Sequence, residues 1–460
     1  MSPLISVENT TSIVIAASKK DFINIESYSL NLMEISPPEL SYLDDKVVVS
    51  ARFTCKGEEN TLWFKFDKEF ADYAVLEKSD AFLVALLPLA MQLHEDIRLH
   101  HPVSEEIYYN VTEYLIPLIS LAMPEKGRVR VVHSGFSDIT RKGTDGVVAT
   151  GLSCGVDSFF TLYEHARPDI PPSHRITHCV FMDVGSHGVL GSEGEQLRFT
   201  RRLDITRRCA AELGMKTVVI ESNLSQFISE PYAKTATIRN AGAALVLEKL
   251  FRIYYYSSSV SFENIHVKDN DIDHSDPMVL SYLSTNHLRF VSSGVQFKRT
   301  EKTEIVSRYE PSYRYLNVCF FTGDNCSVCD KCLRTELTLD LYGKLELYAG
   351  VFDLDKYRRE KRRYICSLLA TSSRNVFSKE RCDLMKRVGF RLGPATSCYY
   401  LGYKTRYELR FHANAFTKAA MKRRKEILGR FKVSRVYEES SAVKKVVSLM
   451  EHPFPWSRET

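Results

Sequence analysis

The sequence predicts an α/β fold for the middle of the chain: a parallel sheet with helices on both faces. Two observations carry this expectation. Between residues 146 and 345, strand-like and helix-like segments alternate, and the strand-like ones are short apolar runs rather than alternating patterns, as expected of strands buried on both sides. The first run also ends in a cluster of small and polar residues, "SCGVDS" (Ser153 to Ser158), which is where such sheets place their ligands, beyond the carboxyl ends of the strands.

The elements follow in order. "GVVATGL" is a strand and "DSFFTLYEHA" a helix. "THCVFMDVG" is a strand, and "QLRFTRRLDITRRCAAELG" a long helix ending at Gly214. "KTVVIES" is a strand, "ATIRNAGAALVLEKLF" a helix and "RIYYYSSSV" a fourth strand. Residues 1–145 read as an α+β accessory domain. In it "KVVVSARFTC" and "TLWFKFD" form strands joined by a Gly-Glu-Glu-Asn turn. "SDAFLVALLPLAMQLHEDI" forms a helix capped by Ser79 or Asp80, and "VSEEIYYNVTEYLIPLISLAM" one capped by Ser104. No catalytic residue types gather there. Residues 346–460 form a basic, mainly helical region.

Composition bounds the function. A chain of 460 residues with 44% hydrophobic and 26% charged residues is globular and long enough for two or three domains. No apolar run approaches the ~20 residues of a membrane helix; the longest, Ala81 to Met91, reads as a buried helix. No basic segment precedes an apolar core at the amino terminus, so the expected location is cytoplasmic. Charge is uneven. Residues 356–460 carry 26 Lys/Arg against 9 Asp/Glu, a net +17; the whole chain is +5, so residues 1–355 carry −12. So basic a tail suggests an anionic partner: a nucleic acid, a nucleotide or an acidic protein. Solvated helix faces such as "DKYRREKRRY" and "KAAMKRRKEIL" account for it equally well.

The loop Ser153–Ser158 has a physical reading. A turn from strand into helix presents unpaired N–H groups, and the helix dipole adds positive charge, so the pair can hold a phosphate. Ser153 and Ser158 offer hydroxyls, and Gly155 permits close approach of a ligand. Asp157 is an N-cap or a magnesium ligand beside the phosphates. The Walker A spacing is absent.

The cysteines point to a metal. Four of the eleven crowd into "CFFTGDNCSVCDKC", as Cys319, Cys326, Cys329 and Cys332, while the others are scattered, which is not a disulfide framework. Four thiolates in closed short loops suit a structural zinc ion, with an iron–sulfur cluster as the other option. Three cysteines at steps of three cannot face one point on a straight helix, so Gly323, Asp324 and Asn325 must supply a turn. Elsewhere, "DIDHSDP" (Asp271 to Pro277) gathers three carboxylates and His274; Asp276 is the choice if one of them acts, and an exposed acidic loop is the alternative. Lys234 is either a phosphate contact or a solvated side chain.

The stretch Ser153-Cys154-Gly155-Val156-Asp157-Ser158 resembles the Ser-Gly-Gly-x-Asp-Ser signature of the PP-loop ATP pyrophosphatases, with Cys154 in place of the first glycine. Arg239-Asn240 and "KRTEKTEIV", with Lys302 as its lysine, are similar to segments of the 7-cyano-7-deazaguanine synthase (QueC-like) branch, which also carries four zinc-binding cysteines. The resemblance covers roughly Gly146 to Gly343. It implies a Rossmann-like (HUP/PP-loop) sheet and a zinc knuckle, with ATP bound by residues 153–158, Asp183 and Arg239-Asn240, and magnesium held by Asp157. Arg239 and Lys302 become the cations of catalysis, with Asp276 in reserve.

The implied chemistry is adenylation of a carboxylate on a 7-carboxy-7-deazaguanine-like substrate, with pyrophosphate released, followed by attack of ammonia or an amine. The added domains point to a specialised relative in bacterial anti-phage defence, acting on nucleic acid or protein; a homodimer is a further expectation. A tRNA sulfurtransferase would need Cys154 or Cys179 as its catalytic cysteine. A degenerate nucleotide-binding subunit without catalysis is the third reading.

Overall fold

The computed structural model describes residues 32–141, 146–268, 270–394, 396–409 and 411. The amino-terminal half opens with β1 (Leu32–Ile35), β2 (Glu39–Leu43), β3 (Lys46–Cys55) and β4 (Glu58–Asp67). The β3–β4 hairpin turns on two residues, Lys56 and Gly57, both left-handed at φ 54° and 77°. Such a turn matches the twist of the flanking strands. The four-residue turn expected from the sequence is therefore shortened, and Glu58, Glu59 and Asn60 join β4. Helix α1 (Asp80–Leu93) follows, then β5 (Asp96–Leu99). Apolar on nearly every side, α1 is buried almost throughout. Helix α2 (Glu105–Asn110) is capped by the Ser104 hydroxyl, which accepts from the Ile107 amide at 3.3 Å. It runs on through a π-turn (Val111–Leu115) into α3 (Ile116–Ala122), and β6 (Val131–Val132) ends this half.

Five parallel strands follow: β7 (Val147–Gly151), β8 (His178–Asp183), β9 (Lys216–Ser222), β10 (Phe251–Ser257) and β11 (Arg289–Ser293). They lie in the order β11-β10-β7-β8-β9. The chain winds outward from β7 to β9, then returns to set β10 on the other side of β7. The point where the winding reverses lies between β7 and β10. Helices α4 (Val156–Ala166) and α5 (Glu195–Glu212) pack on β7–β10 and β8–β9 respectively. Helix α6 (Tyr232–Leu245) packs against α1 and α7 (Asp276–Tyr282), while α8 (Arg299–Val306) lies on α4 and α9 (Pro311–Tyr315) on α5. Cys179 to Asp183 in β8 are all buried, which explains why these strands read as continuous apolar runs.

The sheet does not stop at residue 145. Strand β4 pairs antiparallel with β9, Phe64 opposite Ser222 and Phe66 opposite Ile220, and the sheet continues through β3, β1, β5 and β6. Asn223 fastens the seam: its side chain accepts from the Trp63 amide at 3.0 Å and donates to the Thr61 carbonyl at 2.8 Å. The described residues fall into two compact units that divide between Asp324 and Asn325, so the sequence boundary near 145 falls inside the first. The reason is the unpaired edge that β9 would otherwise present. A buried cation reinforces this unit. Lys78 Nζ lies 3.0 Å from Asp80, 2.9 Å from Asp138 and 2.9 Å from Glu248.

The second unit holds α10 (Asp330–Leu341), α11 (Leu354–Thr371) and α12 (Val376–Arg387), with further helix over residues 396–409. Asp353 caps α11 and Asn375 caps α12. The stretch "KAAMKRRKEIL" lies outside the described residues. No helix among the described residues is long and apolar enough to cross a membrane.

Candidate functional site

Strand β7 feeds α4 through Ser153, Cys154 and Gly155. Cys154 takes the left-handed conformation, φ 56°, in which a side chain costs about 1–2 kcal/mol. Gly155, the N-cap of α4, is ordinary at φ −80°. The strained position is thus the one occupied by cysteine. Its side chain turns inward and is buried, with Cys209 and Thr206 beside it. A hydrogen bond with the free thiol of Cys209 and burial raise the Cys154 thiol well above its usual range, and burial pushes Cys179 up to about 12. A sulfur-transfer nucleophile must be a thiolate, and burial of both cysteines expected for that role opposes that form. The mouth of the loop is left to the serines: Ser153 Oγ accepts from the Gly155 amide at 3.3 Å, and Ser158 Oγ donates to the Gly155 carbonyl at 3.0 Å.

Asp157, in the first turn of α4, does not cap the helix. It meets Arg299 Nη2 at 2.5 Å and Lys302 Nζ at 3.5 Å, both from α8. Lys302 is buried, and its ammonium donates to the Ser258 carbonyl at 2.7 Å just beyond β10. Sequence reasoning named Lys302 but missed Arg299, which sits one turn earlier in the same "KRTEKTEIV" and faces the same way.

Ser258 joins this cation to the acidic segment. Its hydroxyl lies 3.4 Å from Asp276 Oδ2, while Asp276 Oδ1 accepts from Thr237 Oγ1. The Thr237 oxygen is also 3.2 Å from Asp273 Oδ1. Asp276 is 1% exposed, so the exposed-loop alternative does not describe it. Burial pushes its carboxyl up to about 7, and burial together with the charge of Asp276 raises Asp273 well above the carboxylate range. Asp273 was one of the three carboxylates gathered in the sequence, whereas Ser258 was not singled out; spacing alone does not show that it joins the same cluster. Asp271 pairs instead with His274 at 3.5 Å. Lys234 is half-buried, and its backbone carbonyl accepts from the Ile272 amide.

Asp183 and Arg239 gather at the end of β8. Asp183 is buried and lies 3.2 Å from His187 Nδ1. Arg239, expected to be a catalytic cation, spends each nitrogen internally: Nε on Thr235 Oγ1 at 2.8 Å, Nη1 on the Val184 carbonyl at 3.3 Å and Nη2 on the Glu230 carbonyl at 2.8 Å. It therefore clamps the loop after β8 onto α6. Asn240 donates to Tyr232 and to the Ala236 carbonyl, both at 2.8 Å.

The four cysteines converge. Their sulfurs all lie within 4.8 Å of one another, and Cys326 Sγ is 3.9 Å from Cys332 Sγ. Tetrahedral coordination with metal–sulfur bonds of about 2.3 Å sets the edges near 3.8 Å, so the set fits a metal ion. The Cys329 amide points at Cys326 Sγ at 3.4 Å and the Cys332 amide at Cys329 Sγ at 3.5 Å, which stabilises thiolate charge. The expected turn is present, with Gly323 and Ser327 left-handed at φ 82° and 54°. Helix α10 begins only at Asp330, which frees Cys326 and Cys329 from helical geometry.

No protein-family model matches this chain, and neither a curated protein nor a solved structure does.

Proposed function

We propose that the chain is a PP-loop-type enzyme of Rossmann-like (HUP/PP-loop) fold, which consumes ATP, releases AMP and pyrophosphate, and forms a C–N bond on a small deazapurine-like carboxylate. The observation that carries this reading is a position. Loop 153–158 lies at the carboxyl end of β7, at the reversal point between β7 and β10, beside two cations from α8. Anionic ligands bind open α/β sheets at that point, and the first turn of α4 offers its amides to them.

In this reading, the amides of α4 with Ser153 and Ser158 hold the nucleotide phosphates. Arg299 and Lys302 stabilise the charge that grows on pyrophosphate as it leaves. A carboxylate oxygen of the substrate attacks the α-phosphorus, and the bond to the bridging oxygen of the β-phosphate breaks. Ammonia or an amine then attacks the acyl carbon, gives its proton to a base and displaces AMP. Asp276, whose carboxyl titrates at about 7, is the base and is linked to Lys302 through Ser258. Magnesium brought with the nucleotide would neutralise phosphate charge beside Asp157. Zinc is the proposed occupant of the four-cysteine set, since four thiolates leave no open position for catalysis.

One observation favours nucleotide binding without turnover: Asp157 is already paired with Arg299 and Lys302, and magnesium would have to compete with them. The test is release of pyrophosphate from ATP and magnesium, with 7-carboxy-7-deazaguanine and ammonia present or omitted. Substrate-dependent release supports the enzyme. Calorimetric binding of ATP without release supports the binder, and no heat of association overturns both.

A further inference from the structure

We infer that the loop Cys319–Asp324, seated on the arginine face of α5, is a docking surface for single-stranded nucleic acid. This surface is independent of the nucleotide reading above. The loop puts two aromatic rings into solvent, Phe320 at 43% and Phe321 at 68% exposure. Their centroids are 6.1 Å apart, with the rings almost perpendicular. Adjacent exposed phenylalanines are costly in water and are usually covered by something in function.

The charge beside them says what covers them. Between residues 198 and 208, α5 carries Arg198, Arg201, Arg202, Arg207 and Arg208 against one acid, Asp204. Arg201, Arg207 and Arg208 are exposed, and Arg208 is held by a surface pair with Asp204 at 2.9 Å, whereas Arg198 and Arg202, on the face toward the loop, donate to backbone carbonyls. The loop is fastened to that face. Arg202 donates to the Cys319 carbonyl at 2.5 Å and lies over the Phe320 ring at 6.0 Å. Arg201 pairs with Asp324 at 3.1 Å. A Cβ on Gly323, which is left-handed at φ 82°, would come within 3.3 Å of the Arg201 side chain, so glycine there allows the close seat. Two exposed aromatic rings beside exposed guanidinium groups match a single strand with a phosphate backbone: bases stack on the rings, and Arg201 and Arg208 exchange their weak surface carboxylate partners for phosphates. A duplex buries its base faces and does not fit.

The test uses the full chain and fluorescence anisotropy with labelled 12-mers of single-stranded RNA, single-stranded DNA and duplex, at several salt concentrations. Phe321→Ala is expected to weaken single-strand binding on the order of tenfold, whereas Phe321→Trp retains it and its added emission is quenched on binding. Arg201→Ala and Arg208→Ala are each expected to lower the slope of log K against log salt by about one. The RNA and DNA arms decide which strand is the ligand. Metal content and thermal melting of each variant report an intact fold. Unchanged affinity in Phe321→Ala overturns the inference, as does a preference for duplex. If Phe321→Ala abolishes self-association in ultracentrifugation and leaves oligonucleotide binding untouched, the rings belong to a protein contact and the inference also falls.

Discussion

The ammonium of Lys302 donates to the backbone carbonyl of Ser258 at 2.7 Å, and this bond ties α8 to the end of β10. The same ammonium faces Asp157 on α4, and the hydroxyl of Ser258 faces Asp276. One buried lysine therefore connects the loop after β7 with the acidic group after β10. If the proposed chemistry is right, Lys302→Met lowers pyrophosphate release by at least about 100-fold, the scale of losing one preorganised charge at a reacting centre. Arg299→Ala loses less, because Lys302 remains. Retained turnover in Lys302→Met would remove the lysine from the mechanism.

The left-handed cysteine gives a second expectation. Cys154→Gly relieves about 1–2 kcal/mol of backbone strain and gives up the burial of one small side chain, so stability changes little. Cys154→Val keeps the strain and adds a branched carbon, and it costs about 2 kcal/mol or more. Urea denaturation measures both. A valine variant as stable as the parent would show that the turn relaxes freely.

Asp276 makes stability depend on pH. Its carboxyl titrates at about 7 in the fold, against an ordinary value of 3.8. Between those values the native state holds a proton that the unfolded chain releases, so this group makes stability fall as pH rises from about 4 to 7. The full cost is present above 7. Asp276→Asn removes that cost, which grows by about 1.4 kcal/mol for each pH unit crossed between the two values. The variant should melt higher than the parent at pH 8, with the advantage shrinking toward pH 5. Parallel melting curves at both pH values would refute the raised carboxyl.

Lys78 supplies a prediction about the fold alone. Its side chain is fully buried with Asp80 and Glu248, and Asp138 completes the set. Lys78→Met leaves two buried carboxyls without their cation, which costs about 3–5 kcal/mol. Chemical denaturation checks this. The double variant with Glu248→Gln should recover part of the loss.

For the cysteine set, purified protein should hold one metal ion per chain by elemental analysis, and Cys326→Ser should lower that content sharply. Cobalt substitution should give the absorption bands of tetrahedral thiolate ligation. Full metal content after replacement of both Cys326 and Cys332 would show that the cluster is not the site.

Much of this architecture can be read in the residues. β3 and β9 were expected at their observed limits because each is rich in branched or aromatic residues and stops at a turn. The metal set was plain because cysteine spacing is a local signal. Strands β1, β5 and β11, like β2 and β6, were not expected. Of these, β1 and β5 have 4 residues and β11 has 5, and each of the three carries charged or hydroxyl side chains, so their neighbours rather than their composition make them strands. "HEDI" was read as the end of α1, but His94 turns left-handed at φ 58° and β5 begins at Asp96. The role of Arg239 was out of reach for the same kind of reason. Its acceptors at Val184 and Glu230 lie 55 and 9 residues away, and no spacing rule predicts a backbone carbonyl as a partner.

The seam between β4 and β9 has a practical consequence for anyone dissecting this protein. A fragment beginning near residue 146 would strip the cover from β9 and leave unpaired amides and carbonyls along Ile220 to Ser222. Such a fragment should precipitate on expression. A protease cut in the connection between β6 and β7 should leave two pieces that co-elute until denaturant parts them.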